Sequence, residues 1–151
     1  MNVRAALVAA CVLATAAAST TPASAVTPVV VVASPSSEQR PAASTTFVAW
    51  GKEQHHNTSV RAEAIGGSSF RVSAKAFPGA IDGSTLVYSK DGDIALFDLS
   101  TRAALPVPDG VNTKAYEQAL GISGTHLLFY RASNFRSYSV VLFDTSTGTS
   151  L

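Results

Sequence analysis

The chain has 151 residues, of which 46% are hydrophobic and 14% are charged. This length and composition fit one globular domain and exclude a disordered chain. The formal charge of +1 indicates a balanced surface with no footprint for nucleic acid or for an anionic membrane.

Residues 1–25 have the three parts of an export signal. Arg4 supplies a short positive region, residues 5–18 supply an apolar run, and residues 23–25, Ala-Ser-Ala, supply a small-residue cleavage site. The apolar run is short for a transmembrane anchor, and no apolar run long enough to span a membrane follows it. We therefore predict cleavage before Val26, a secreted, periplasmic or cell-envelope location, and no membrane span.

Cys11 is the only cysteine, and it lies within the signal. Residues 8–11, Val-Ala-Ala-Cys, resemble a lipoprotein processing box, but cleavage there would leave too little signal sequence. We therefore expect the mature chain to have neither a disulfide nor thiol chemistry, although its compartment would allow disulfides.

Residues 26–45 are predicted to form an N-terminal strand and a linker. The four valines at 29–32 favour a strand, and residues 34–45 are rich in Pro, Ser and Thr, as linkers are. The valine run is either a passive tail or a strand that pairs with a later sheet. We favour pairing, because an exposed run of this kind promotes aggregation.

The segment around Trp50 begins the repetitive part of the chain. A shift of 38 positions places Trp50 on Tyr88, which indicates a diverged copy of the unit that follows. Residues 59–65 alternate between apolar and polar, residues 66–68 form a turn, and residues 70–77 are predicted to form a second half-buried strand.

Residues 81–102 form the clearest unit, and a second copy lies between Ile122 and Thr147. The matched positions include Ile81 with Ile122, Gly83 with Gly124, Leu86 with Leu127, Phe97 with Phe143, and Asp98 with Asp144. A period near 40 with paired short strands is typical of propeller blades. We place the three repeat units at about 46–78, 79–118 and 119–151.

Four segments are apolar at successive positions, so both faces of each predicted strand should be covered: residues 86–88, 94–99, 127–130 and 140–143. Strands of this kind lie between stacked sheets. The prediction that both faces are covered applies most directly to residues 94–97 and to the strand around Leu142.

Turn chemistry separates these strands. Asp91-Gly92 suits a tight type I′ hairpin, and Asp98 and Asp144 are predicted to bond the Ser/Thr turns that follow them.

The secondary structure of two later segments is predicted from residues that interrupt regular strands. Residues 105–108, Leu-Pro-Val-Pro, can form only an edge strand, because proline lacks the backbone donor. Residues 111–120 are predicted to be mostly loop, with a short strand at 119–122.

An Asp/Ser-Gly-Ser/Thr turn before an apolar strand, and a later strand that ends in Phe-Asp before a Ser-Thr turn, resemble the blades of TolB-type and WD-like β-propellers. Phe97-Asp98 and Phe143-Asp144 stand where WD repeats have Trp-Asp. The resemblance covers residues 46–148. It implies an all-β fold of antiparallel four-stranded blades.

Propellers usually close with about four to eight blades, so three units imply an incomplete propeller. The chain also ends where the outer strand of the last blade should begin. We expect either a fragment of a longer protein or self-association that covers the open sheets with another copy.

The histidines are weak candidates for a metal site. Glu53, His55 and His56 are close in sequence, but adjacent histidines on an extended loop point to opposite sides. His126 is the only other histidine, and its spacing from the pair does not match a metal motif.

Other chemical motifs are incomplete. Asp91, Asp93 and Asp98 lack the ligand spacing of a calcium loop. Residues 66–69 and 121–124 miss the serine elbow pattern, and no phosphate-binding loop occurs. We therefore predict no catalytic, cofactor-binding or metal-binding residues.

Trp50 and Tyr88 occupy matching repeat positions and are predicted to lie in the core; exposed, they would instead be recognition anchors. Asn57-Thr58-Ser59 matches a glycosylation sequon, which matters only in a host that glycosylates exported chains.

These features predict a secreted, non-enzymatic binding or scaffold protein, or a fragment of one. Loops 54–58 and 131–139 are the predicted contacts for a protein or glycan, since loops on rigid sheets often carry recognition. The alternative is the propeller part of a prolyl-oligopeptidase-like hydrolase with a separate catalytic domain. A decayed gene without function is a third possibility.

Overall fold

The computed structural model describes residues 36–134 and 137–151. The predicted signal and the valines at 29–32 lie outside these residues. The strands are β1 (Ser37–Ala43), β2 (Phe47–Gln54), β3 (Asn57–Ala64), β4 (Phe70–Ala74), β5 (Ala76–Asp82), β6 (Thr85–Lys90), β7 (Asp93–Asp98), β8 (Ala103–Leu105), β9 (Tyr116–Ser123), β10 (His126–Asn134), β11 (Ser137–Asp144) and β12 (Thr149–Ser150). The described residues contain no helix, which confirms the all-β class; this part of the chain therefore has no helix that could cross a membrane.

The strands form three antiparallel four-stranded sheets, and each sheet is a meander in chain order. The first sheet contains β1 to β4, the second β5 to β8 and the third β9 to β12. They begin at Ser37, Ala76 and Tyr116. Each start precedes the corresponding predicted unit, because the first strand of each sheet has a weaker apolar pattern than the second.

One β-bulge recurs at the same place in every sheet. The register between the first and second strands shifts between Gln39 and Ala42, between Pro78 and Ala80, and between Leu128 and Phe129. Trp50, Tyr88 and Phe129, which the sequence places at one repeat position, all lie beside this bulge. A bulge is a specific backbone feature, so its recurrence supports the threefold repeat, including the diverged first copy.

Two apolar layers fill the spaces between the sheets. Strand β5 lies against the first sheet, and β9 lies against the second sheet. The layer between the first and second sheets includes Val60, Ala62, Leu86 and Tyr88. The layer between the second and third sheets includes Val87, Ile94, Leu127 and Phe129.

Strand β7 is covered on both faces, as its sequence predicts. Ala95 and Phe97 pack toward the first sheet. Ile94 and Leu96, which are 2% and 8% exposed, pack toward the third sheet. The second sheet is therefore the interior layer of the three.

The third sheet is covered on one face only by the described residues. Phe129 is buried against the second sheet, whereas Val140 is 62% exposed and Leu142 is 37% exposed. The prediction that residues 127–130 and 140–143 are dry on both faces is therefore wrong for the described part of the chain. An apolar pattern predicts a preference for burial, but it cannot supply a neighbouring sheet.

Strand β1 lies within residues 34–45, which the sequence predicts as a linker. Its polar residues, including Glu38 and Arg40, are exposed. They are tolerated because β1 is the edge strand of the first sheet and edge strands accept charge and proline.

The segment 70–77 forms two strands rather than one. Strand β4 ends at Ala74, and β5 begins at Ala76 in the next sheet. Lys75 makes the crossing with a positive φ of 50°. The apolar alternation continues across this residue, so periodicity does not reveal the break.

The structure also differs from the predictions for residues 105–108 and 111–120. The edge strand β8 ends at Leu105, before Pro106, so it precedes most of the predicted 105–108 strand. Strand β9 begins at Tyr116 and therefore replaces much of the predicted 111–120 loop.

Strand β8 is too short to pair with all of β7, and the Asn112 side chain satisfies the backbone of β7 beyond it. The Asn112 side chain accepts a hydrogen bond from the Ile94 N–H at 2.8 Å and donates one to the Ile94 carbonyl at 2.9 Å. The amide thus takes the place of a strand peptide group at this position.

Candidate functional site

The outward side of the third sheet carries a contiguous set of apolar and aromatic side chains, which we call the open face. It consists of Tyr116, Gln118 and Leu120 from β9, Leu128, Tyr130 and Ala132 from β10, and Tyr138, Val140 and Leu142 from β11. Several are well exposed, including Tyr138 at 69%. Contiguous exposed apolar surface of this kind marks an interaction site.

Strand register brings these residues together. Leu128 is paired with Leu142, Tyr130 with Val140, and Ala132 with Tyr138. Alternate residues of a strand share a face, so each pair presents two neighbouring side chains to the outside. The opposite positions on the same strands fill the layer against the second sheet.

A groove of about 660 Å³ lies over the β9 and β10 part of this face. Tyr116, Gln118, Leu120 and Tyr130 line its sides, and Lys114 contributes a positive charge. A few polar groups in a mostly apolar concavity are typical of ligand-binding sites.

The tyrosines are held by specific contacts. Tyr130 and Tyr138 stack with ring centroids 5.4 Å apart. A Cβ atom at Gly92 would lie 3.3 Å from the Tyr116 Cδ2 atom, so the β6–β7 hairpin supports that ring closely.

An ion pair between the buried Glu117 and the partly buried Arg131 fixes the segment before β9. Glu117 is fully buried, and its Oε1 atom accepts hydrogen bonds from Arg131 Nε at 2.9 Å and from the Thr113 hydroxyl at 2.6 Å. Arg131 Nη2 also donates to the Gly110 and Val111 carbonyls at 2.9 and 2.7 Å. These bonds tie residues 110–113 to the two strands that border the groove.

The two predicted recognition loops are much shorter than expected. Strand β2 ends at Gln54 and β3 begins at Asn57, so only His55 and His56 remain in the turn. Residues 131–134 and 137–139 belong to β10 and β11. The predicted loop 131–139 is therefore mostly strand, although Ala132, Ser133 and Asn134 do line the groove.

The histidines lie in separate places. His55 and His56 occupy an exposed hairpin turn with positive φ angles of 50° and 64°, whereas His126 begins β10 in the third sheet. Among the described residues, no group of three His, Cys, Asp or Glu side chains is arranged to hold a metal ion.

The predicted turn roles of the aspartates are confirmed. Asp98 Oδ1 accepts bonds from the Ser100 N–H and hydroxyl at 2.7 and 2.6 Å. Asp144 Oδ1 accepts the equivalent bonds from Ser146 at 2.9 and 2.7 Å. The serine hydroxyl is the main cause that lowers the pKa of each carboxyl. The Asp91-Gly92 turn is also confirmed, with φ angles of 54° and 93°.

Trp50 and Tyr88 are core residues, as predicted, with 6% and 7% exposure. Burial raises the pKa of Tyr88, and a hydrogen bond with Ser73 partly opposes that effect. Ala49 packs toward the second sheet. Successive residues of a strand point to opposite faces, so the Trp50 side chain points away from the second sheet. The Trp50 Nε1 atom has no hydrogen-bond partner within the described residues.

The β9 side of the groove does not follow from the sequence predictions. Tyr116, Gln118 and Leu120 lie in a segment predicted as loop, and no catalytic or binding motif marks them. Their alternation with the buried Glu117 and Ala119 is the signal that could have identified a strand with one outward face.

No protein-family model, no curated protein and no solved structure matches this chain. Residues 36–134 and 137–151 form an all-β fold of three four-stranded antiparallel sheets, and within this part of the chain the outward side of the third sheet is exposed.

Proposed function

We propose that the protein is an exported, non-enzymatic binding module of the β-propeller type, and that the open face is its protein-recognition surface. The proposal rests on the apolar outward side of the third sheet, which no element of the described residues covers and where Leu128, Val140 and Leu142 are each at least 37% exposed. Soluble proteins rarely expose such a surface without a partner.

Four features support a propeller-like arrangement. Each sheet is a four-stranded antiparallel meander, the same bulge recurs in each, and consecutive sheets pack face to face. The first strands are also neighbours, since the Arg40 guanidinium of β1 lies 5.2 Å from the Phe77 ring of β5. Propeller blades have this topology and order.

The chemistry of the open face favours binding over catalysis. Its side chains are aliphatic groups, tyrosines and the Gln118 amide, which provide contact area and orientation rather than proton or group transfer. Aliphatic residues outnumber hydrogen-bonding groups around Val140 and Leu142, so a protein surface is the better match than a glycan. Interface cores are enriched in tyrosine and depleted in charge in the same way.

The test compares two lysine substitutions on the exported chain. The protein is immobilised and exposed to secreted proteins of its source organism and, separately, to a glycan panel. We expect Val140→Lys to abolish protein retention, because it places an ammonium group in the interface. Ile65→Lys is the matched control, because Ile65 is 56% exposed on a turn of the first sheet.

Two results would contradict the proposal. Equal retention by wild type and Val140→Lys would remove the open face from recognition. Glycan binding that is lost with Tyr116→Ala but kept with Val140→Lys would assign the groove to a carbohydrate instead.

A further inference from the structure

The two inner faces of the stack show what kind of surface fits the open face. Val87, Ile94 and Leu96 project from the second sheet and are buried by the third sheet. Leu128, Val140 and Leu142 hold the same repeat positions in the third sheet. The residues at these positions of the second sheet are buried by a neighbouring sheet. The equivalent residues of the third sheet are therefore suited to burial by a sheet as well.

We propose that the partner of the open face is the open face of a second copy, related by a two-fold axis. This inference rests on the proposed function, since it names the protein that the recognition surface binds. A two-fold interface is self-complementary and closes after two copies.

The other end of the stack is poorly suited to this role. The side of the first sheet that faces away from the second carries the charged residues Lys52, Arg61 and Glu63 beside Val48 and Trp50. Trp50 is only 6% exposed, so a partner could bury little additional apolar area there. Burying these charges would carry a desolvation cost that an apolar face does not. The apolar surface available on a second copy is therefore its own open face.

The distance between packed sheets should also differ between the proposed contact of two open faces and the packing of sheets within one chain. Gly79 occupies the bulge of the second sheet, where an added Cβ atom would lie 2.7 Å from the Ala119 Cβ atom of the third sheet. Leu120 holds the equivalent bulge position in the third sheet and is 44% exposed. Its side chain blocks an equally close approach, so an incoming sheet must pack with a different geometry from that between the second and third sheets.

The size of the face predicts a reversible dimer. Strands β9, β10 and β11 contain 8, 9 and 8 residues. At a rise of about 3.3 Å and a strand spacing of about 4.8 Å, their footprint is about 400 Å² per copy. Two copies therefore cover about 800 Å², which is in the range of weak and transient interfaces.

The test is the mass of the exported chain in solution, measured by sedimentation velocity from low to high micromolar concentration. We expect a monomer that becomes a dimer as concentration rises. Val140→Lys should weaken the dimer by at least about a hundredfold, because symmetry places two ammonium groups in one interface. Ile65→Lys should dimerise like the wild type. Wild-type monomer at every concentration, or dimerisation of Val140→Lys, would overturn the inference.

Single cysteines give a second, geometric measurement. We expect Leu142→Cys to form a disulfide-linked dimer under mild oxidation, and Ile65→Cys to remain unlinked at the same protein concentration. Equal cross-linking of both variants would contradict the two-fold contact.

The two proposals can fail separately. A monomeric wild type whose open face still retains another protein, in a manner abolished by Val140→Lys, would refute self-association and keep the recognition function. Binding to phosphatidylcholine vesicles that is abolished by Val140→Lys would refute both proposals, because the occupant would be lipid.

Discussion

At the scale of single residues, the turns show where the sequence and the backbone disagree. The β6–β7 hairpin places Asp91 and Gly92 at positive φ, which suits both residues. The β2–β3 hairpin places His55 and His56 in the same region, where residues other than Gly, Asn and Asp are strained, because they lack the short polar side chain that bonds the local backbone. The second hairpin is therefore the less stable of the two.

We expect His56→Gly to stabilise the protein by about 1 kcal/mol, because glycine adopts a φ near 64° without strain. Chemical denaturation measures the change. His56→Ala is the control, since it removes the imidazole but keeps the Cβ atom. A similar gain from both substitutions would show that the imidazole, rather than the backbone, is unfavourable.

The turn carboxylates make stability depend on pH. The pKa of Asp98 and the pKa of Asp144 are lowered in the folded state, so folding favours their ionised forms. Their contribution is complete above the unfolded pKa of about 3.9. It is lost as pH falls through the lower folded values.

We expect the double variant Asp98→Asn/Asp144→Asn to be less stable than the wild type at neutral pH. The difference should shrink in acid, because the wild-type carboxyls then become neutral as well. Unfolding free energies measured from neutral pH to about pH 2 test this expectation. A difference that is constant with pH would show that the turn bonds do not require the charge.

At the scale of elements, much of the strand content follows from the sequence. Strands β6, β7, β10 and β11 are predicted by their apolar runs, and the tight turn at Asp91-Gly92 follows from its residue types. Strand β1 is missed because its environment, the edge of a sheet, tolerates the polar and proline residues that also occur in linkers. The crossing at Lys75 is missed because alternation specifies faces and not which sheet a residue joins.

The candidate site was only partly predictable for the same reason. The apolar side chains of Leu128, Val140 and Leu142 indicate burial. Only the assembled structure shows that no sheet among residues 36–134 and 137–151 covers them. Tyr116 and Leu120 are brought beside Tyr130 by the pairing of β9 with β10. That pairing depends on long-range register, which local sequence patterns do not contain.

The Glu117–Arg131 pair is expected to hold β9 in place. Arg131→Met should destabilise the protein by about 3 kcal/mol, because it leaves a buried carboxylate without its counter-ion. The double variant Glu117→Leu/Arg131→Met is the matched comparison. It should be more stable than Arg131→Met alone, since neither charge then remains buried.

Thermal or urea unfolding of the three proteins measures both effects. If the single and double variants lost the same stability, the packing of the Arg131 side chain over Phe129, at 5.1 Å, would be the main contribution instead of its charge.

At the scale of the whole molecule, the three sheets have unequal environments. The second sheet is covered on both faces, whereas the described residues cover the third on one. Local stability follows buried apolar contact. The order of the sheets therefore predicts a gradient of stability along the chain.

Hydrogen exchange should detect this gradient. We expect amides of β6 and β7 to exchange more slowly than those of β10 and β11 in dilute solution. At high concentration, protection of β10 and β11 should rise if two open faces meet. Equal protection of all four strands in dilute solution would mean that the sheets unfold as one unit.

The connections between sheets differ in length, and this has a mechanical consequence. Lys75 alone joins the first sheet to the second, whereas residues 106–115 separate the second from the third. A one-residue tether has no slack, so tension along the chain passes directly between the first two sheets. The longer connection is pinned at Asn112 to β7 and at Gly110 and Val111 to Arg131, so these bonds must break before the third sheet separates. Single-molecule force extension should show that separation as a step distinct from the rupture of the first two sheets.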